Sequence, residues 1–142
     1  MKISNILFVC VGNSCRSQIA EGYGQAWGSS VMNARSAGTH AINEITPEIR
    51  MVMAEESIDL AGQRPKNLTA RLINWADRVI VLGGHPEFLF PDLLRDKLIF
   101  WPTPDPYGQG MEAARRVRDL IKTQITDLII DLGATPTGTP GA

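Results

Sequence analysis

A parallel β-sheet covered by helices on both faces, the three-layer α/β class, is what this sequence predicts, and three observations carry the reading. Short continuous apolar runs, Ile6-Leu7-Phe8-Val9 and Val79-Ile80-Val81-Leu82, have the composition of strands buried on both sides. Segments with apolar residues at three-and-four spacing alternate with those runs, as right-handed strand-helix-strand crossovers require. Gly12-Asn13 and Gly83-Gly84 cut the runs short where the chain must turn. At 142 residues the chain suits one domain with one core, expected over residues 1–132, followed by a loose tail over 133–142 rich in Gly, Pro and Thr.

Taken in order, residues 2–11 read as the first strand. Ile19, Ala20, Tyr23, Ala26 and Trp27 then place a helix from Ser14 to about Gly28, despite Gly22 and Gly24. Residues 31–37 form a second strand, and Thr46-Pro47-Glu48 starts a helix expected to reach about Ser57. A short helix after Asn67 ends at Trp75, a third strand covers 77–82, a helix covers 86–94 and a fourth strand covers 97–101. The last helix, 111–132, sets Val117, Leu120, Ile121, Ile125, Leu128 and Ile129 on its inner face and leaves Arg115, Arg116, Arg118 and Lys122 as a solvated side.

Composition narrows the function classes. With 14 basic and 15 acidic residues the net charge is -1, which gives no electrostatic footprint for nucleic acid or an anionic membrane. The run from Ile6 to Val11 is far shorter than the roughly 20 apolar residues of a membrane helix, and no signal-peptide pattern is present. Two cysteines, Cys10 and Cys15, argue against a disulfide framework and for a reducing, cytoplasmic compartment. Neither a metal site nor a cofactor is expected, because His40 and His85 stand far apart and no third cysteine completes a ligand set.

The segment Val9-Cys10-Val11-Gly12-Asn13-Ser14-Cys15-Arg16-Ser17 lies where open α/β sheets bind ligands, at the carboxyl end of the first strand. Between Cys10 and Arg16 the backbone must curl tightly, and Gly12 and Asn13 are the residues best able to take positive φ. A curled backbone at a helix start turns several N–H groups inward, and these orphan donors with the helix dipole form an anion cradle. Arg16 adds a planar fork for two oxygens of a phosphate. The same field lowers the pKa of a cysteine thiol, so Cys10 reads as a nucleophile, with Ser17 able to donate a hydrogen bond to its thiolate.

Hydrolysis of a phosphate ester then needs an acid for the leaving oxygen. His40 and His85 are candidates, and Asp105 is better placed, between two prolines in Pro104-Asp105-Pro106 just after the fourth strand. From local sequence Asp105 reads equally well as a plain turn former. Cys15 likewise has two readings of equal weight: it packs beneath the loop, or it captures an oxidised Cys10 as a disulfide across the curl.

On these residues the chain resembles the low-molecular-weight protein tyrosine phosphatase family, and it is similar to the thioredoxin-coupled arsenate reductases of the same fold. The likeness rests on residues 8–17, on Ser36-Ala37-Gly38-Thr39, on Gly62-Gln63-Arg64-Pro65-Lys66 and on Asp105-Pro106-Tyr107. It implies a four-stranded sheet in the order 2-1-3-4, a phosphocysteine at Cys10, and Asp105 as acid and then base. It further implies that Asn13 holds the loop in a left-handed shape, that Ser17 bonds the thiolate and that Ser36 supports that network. Val11, Gly12, Asn13, Ser14, Cys15 and Ser17 would surround the substrate phosphate, with Ile42 and Tyr107 as walls. The ligands implied are a phosphotyrosine protein or a small aryl phosphate, with phosphate, sulfate and arsenate as simple oxyanions.

Departures from the family pattern qualify the substrate. His40, Ala41, Ile42 and Asn43 stand where these phosphatases often carry an aromatic wall, and Gln63 stands where many have histidine. The thioredoxin-coupled reductases need resolving cysteines after the third strand, and Leu82-Gly83-Gly84-His85-Pro86 has none. Arsenate reduction with an external thiol is therefore the alternative reading. His85 and Phe88-Leu89 look more like the phosphatase branch.

Overall fold

The computed structural model describes residues 2–135. Its sheet is four parallel strands, β1 (Ser4–Cys10), β2 (Met32–Gly38), β3 (Arg78–Val81) and β4 (Leu98–Phe100), in the order β2-β1-β3-β4. Because side chains alternate along a strand, the apolar run of β1 serves two cores. Ile6 and Phe8 pack under α1 (Arg16–Trp27), α2 (Pro47–Ala54) and α5 (Met111–Asp131). Leu7 and Val9 face the other way, against Ile73 of α3 (Ala70–Trp75) and Leu94 of α4 (Pro91–Leu94). Helices thus cover both faces. The chain leaves β1 for β2 on one side and crosses to β3 on the other, so a crevice opens beyond the carboxyl end of β1.

Several expectations need correction. Helix α1 starts at Arg16 rather than Ser14, because the preceding residues curl instead of coiling. Helix α2 stops at Ala54, where Ser57 takes φ 60° and the Ile58 amide bonds back to the Met53 carbonyl at 3.0 Å. The helix expected over 86–94 is split into a 3-10 turn, Pro86–Phe88, and the single-turn α4, since Phe90 precedes Pro91 and is pushed out of the helical region to φ -138°, ψ 61°.

Two corrections on α5 share one cause. At about 100° per residue, Val117, Ile121, Ile125, Leu128 and Ile129 span an arc of about 120°, and Leu120 falls about 60° outside it while Arg118 falls within it. Leu120 is accordingly exposed and Arg118 buried. The basic side is not simply solvated either. Arg118 donates to the Val52 carbonyl (2.9 Å) and Glu55 (2.6 Å), Arg115 pairs with Glu55 (2.8 Å) and Lys122 with Glu56 (2.6 Å). The tail expected from Gly133 begins as an ordered cap: Gly133 (φ 102°) bonds the Ile130 carbonyl and Ala134 the Ile129 carbonyl, the Schellman pattern. The rest of that tail, from residue 136, lies outside the described residues.

Candidate active site

The loop between β1 and α1 is shaped by where its carbonyls go. Cys10, Val11, Gly12 and Ser14 accept from the amides of Thr39, His40, Ile42 and Thr46 at 2.8–3.3 Å, all from the segment that follows β2. The Asn13 carbonyl takes Gln18 Nε2 (3.0 Å) and the Cys15 carbonyl takes the Ile19 amide (3.0 Å). With all six carbonyls tied outward, the amides of residues 11–16 are left to the inside of the curl, where none donates to a protein acceptor among the described residues. Helix α1 has neither a side-chain cap nor an acidic residue in its first turn, so its positive end also faces this space. Gly38 permits the close wrap, since a Cβ there would lie 2.5 Å from the Val11 carbonyl.

Asn13, not Gly12, supplies the left-handed residue, at φ 51°. Its Oδ1 accepts from the Lys66 amide (2.9 Å), which can only donate, and from Gln18 Nε2 (3.1 Å). Asn13 Nδ2 therefore donates to Ser17 Oγ (2.7 Å), and Ser17 is left to donate its proton to Cys10 Sγ at 2.9 Å. Gln63 completes the support by donating to Gln18 Oε1 (2.7 Å) and its carbonyl (3.2 Å). Ser36 does not join the Asn13 network; it donates to Glu21 (2.5 Å), which also holds Gln25 and lies 3.8 Å from Lys66 Nζ.

Arg16 is buried with its fork divided. Nη1 donates to the carbonyls of Thr103 (2.8 Å) and Leu82 (3.3 Å), Nη2 lies 3.8 Å from Asp105 Oδ2, and the buried Nε has no partner. A buried unpaired charged donor is costly, so Nε and Nη2 constitute a site for an oxyanion. The guanidinium lies against Gly83, where a Cβ would come within 2.2 Å of Nη1. Asp105 forms a turn, with Oδ1 taking the Tyr107 amide (3.0 Å), while its exposed side chain sets Oδ2 toward Arg16.

A cavity of about 380 Å³ is lined by Cys10, Val11, Gly12, Ser14, Cys15, Arg16, His40, Ile42, Asp105 and Tyr107. Nine of the eleven predicted site residues meet there. The other two, Asn13 and Ser17, are fully buried beneath the loop and act on it from behind rather than touching the cavity. His40 joins the lining, whereas His85 lies on a separate groove, against Glu87 and Phe88. Both cysteines are free, and burial pushes the Cys15 thiol up despite hydrogen-bond contacts with Ser14 and Thr46 at 3.7 Å. Gly83, Gly38 and Gln18 were not legible as site residues, because their roles depend on partners distant in sequence. No group of three or more potential metal ligands occurs among the described residues.

Fold and site together define a class: α/β enzymes that seat a cysteine in an anion-binding loop at the end of the first strand. The chain belongs to the low molecular weight phosphotyrosine protein phosphatase family, whose model matches residues 5–136. A curated relative, an arsenate reductase of Bacillus cereus strain AH187, is 36% identical over 121 residues covering 84% of this chain and 90% of the relative. The YwlE arginine phosphatase of Geobacillus stearothermophilus superposes with a TM-score of 0.83 at 30% identity, covering 91% of this chain and 92% of that one. A solved arsenate reductase in the phosphate binding state gives a TM-score of 0.80 at 30% identity, covering 92% of this chain and all 100% of the other.

Proposed function

We propose that this chain hydrolyses phosphate monoesters through a phosphocysteine on Cys10. The observation that carries the reading is Asp105, a carboxylate that shares a cavity with Cys10 and Arg16 where oxyanion binding alone needs no acid. Arg16 Nε and Nη2 and the amide ring take the three non-bridging oxygens, a charge complement that needs no metal. The Cys10 thiolate, steadied by the Ser17 hydroxyl, attacks phosphorus in line. The P–O bond to the leaving group breaks as Asp105 gives its proton to the departing oxygen. Asp105 then takes a proton from water, whose oxygen attacks the phosphocysteine and releases inorganic phosphate and the thiolate.

Aryl esters, phosphotyrosine among them, are the leaving groups that suit the Ile42 and Tyr107 walls. The two free thiols suit work in a reducing, cytoplasmic compartment. Arsenate reduction with an external thiol is the second reading, favoured by the names of the curated relatives. Rapid acid quench during turnover of an aryl phosphate tests the first: Cys10 should carry the phosphoryl group at the earliest times. Turnover with no phosphorylated cysteine would remove the covalent step.

A further inference from the structure

We propose that the groove beside the catalytic mouth seats a basic side chain next to the phosphorylated residue of a peptide substrate. The inference deepens the phosphatase reading and rests on it for turnover, though not for binding. Residues 42–47, which lead into α2, fold beside Tyr107 and enclose a groove of about 490 Å³. Ile42 and Tyr107 line both this groove and the cavity above Cys10. They are 40% and 54% exposed, an apolar sill between two hollows. A polypeptide bound by its phosphoryl group in the cavity can continue across this sill into the groove.

The two hollows differ in charge: the catalytic cavity sets Arg16 and a ring of amides beside the Asp105 carboxyl, whereas Glu44 is the sole charged residue lining the groove. Glu44 is exposed and has neither an ion pair nor a side-chain hydrogen bond among the described residues. The acids on α2's other end behave differently: Glu55 and Glu56 are each tied to basic residues of α5. A phosphoryl anion with a lysine or arginine one or two residues away complements both hollows at once, and a net protein charge of -1 makes this a local effect rather than a general attraction.

The test uses Cys10→Ser as a non-turnover binder and two fluorescent phosphotyrosine peptides, identical except that the residues flanking phosphotyrosine on both sides are lysine in one and glutamate in the other. At physiological ionic strength the lysine peptide should bind about fivefold more tightly, the scale of an exposed ion pair gained against a like-charge contact. Glu44→Lys in the same background should abolish or reverse that ratio. Asp92→Lys, the same charge change at the start of α4, should leave it in place. Equal affinities, or a preference that survives Glu44→Lys, overturn the groove. Incubating the same peptides with the wild-type chain separates the two claims: preferential binding without phosphate release keeps the groove and removes hydrolysis.

Discussion

Ser17 has one hydroxyl proton, and Asn13 decides where it goes. Because Asn13 Nδ2 donates to Ser17 Oγ, the serine proton points to Cys10 Sγ and holds the sulfur at the floor of the cavity. Ser17→Ala should therefore slow turnover by about tenfold to a hundredfold, the worth of one hydrogen bond to a charged group. An unchanged rate would show that the serine does not act on the Cys10 sulfur. Gly83→Ala should cost about a hundredfold in kcat/KM by displacing the Arg16 guanidinium, which a new Cβ would meet at 2.2 Å. Thermal stability of that variant reports separately on folding. Asp105→Asn should hurt esters with poor leaving groups by about a hundredfold and activated aryl esters much less. Equal losses would leave Asp105 only its turn-forming bond to Tyr107.

At the scale of elements, β1, α1 and the loop between them were legible because their signals are local: an apolar run, a turn pair, then helical spacing. Local signals narrowed the left-handed residue to Gly12 or Asn13, and the resemblance pointed to Asn13, whereas the outward tie of each loop carbonyl depends on residues 39–46 and 18–19, whose register no local pattern sets. Periodicity also misread α5, since it ranks residues by type and not by angle, and so admitted Leu120 and expelled Arg118. That error has a measurable counterpart. Arg118→Met removes donors from the Val52 carbonyl and Glu55 and should cost about 1–3 kcal/mol, read as a lower urea midpoint with an unchanged m-value. Arg116→Met, on the exposed side, should change stability by less than about 0.5 kcal/mol.

Across the whole molecule, α5 is clamped to α2 by carboxylates whose protonation loosens it. Hydrogen bonds from Arg115 and Arg118 hold Glu55 down to about 2 from 4.5, and Lys122 and Tyr23 lower Glu56 against the opposing effect of burial. A depressed carboxylate contributes stability that is fully present above its unfolded value and is lost as pH falls through the folded one. The melting temperature should thus decline from pH 4.5 toward 2, and Glu55→Gln should flatten that decline; an unchanged slope would place the acid sensitivity elsewhere. The same long-range assembly brings Asp105 into one cavity with Cys10 from 95 positions away in the chain, a proximity that local sequence could not show and that left its two readings level. We assign phosphate ester hydrolysis to that pair. It is tested most directly by offering one preparation of the wild-type chain an aryl phosphate and, in parallel, arsenate with an excess of thiol. Inorganic phosphate should be released, Cys10→Ser should abolish that release, and no arsenate should be lost with thiol present. Loss of arsenate without phosphate release would contradict it.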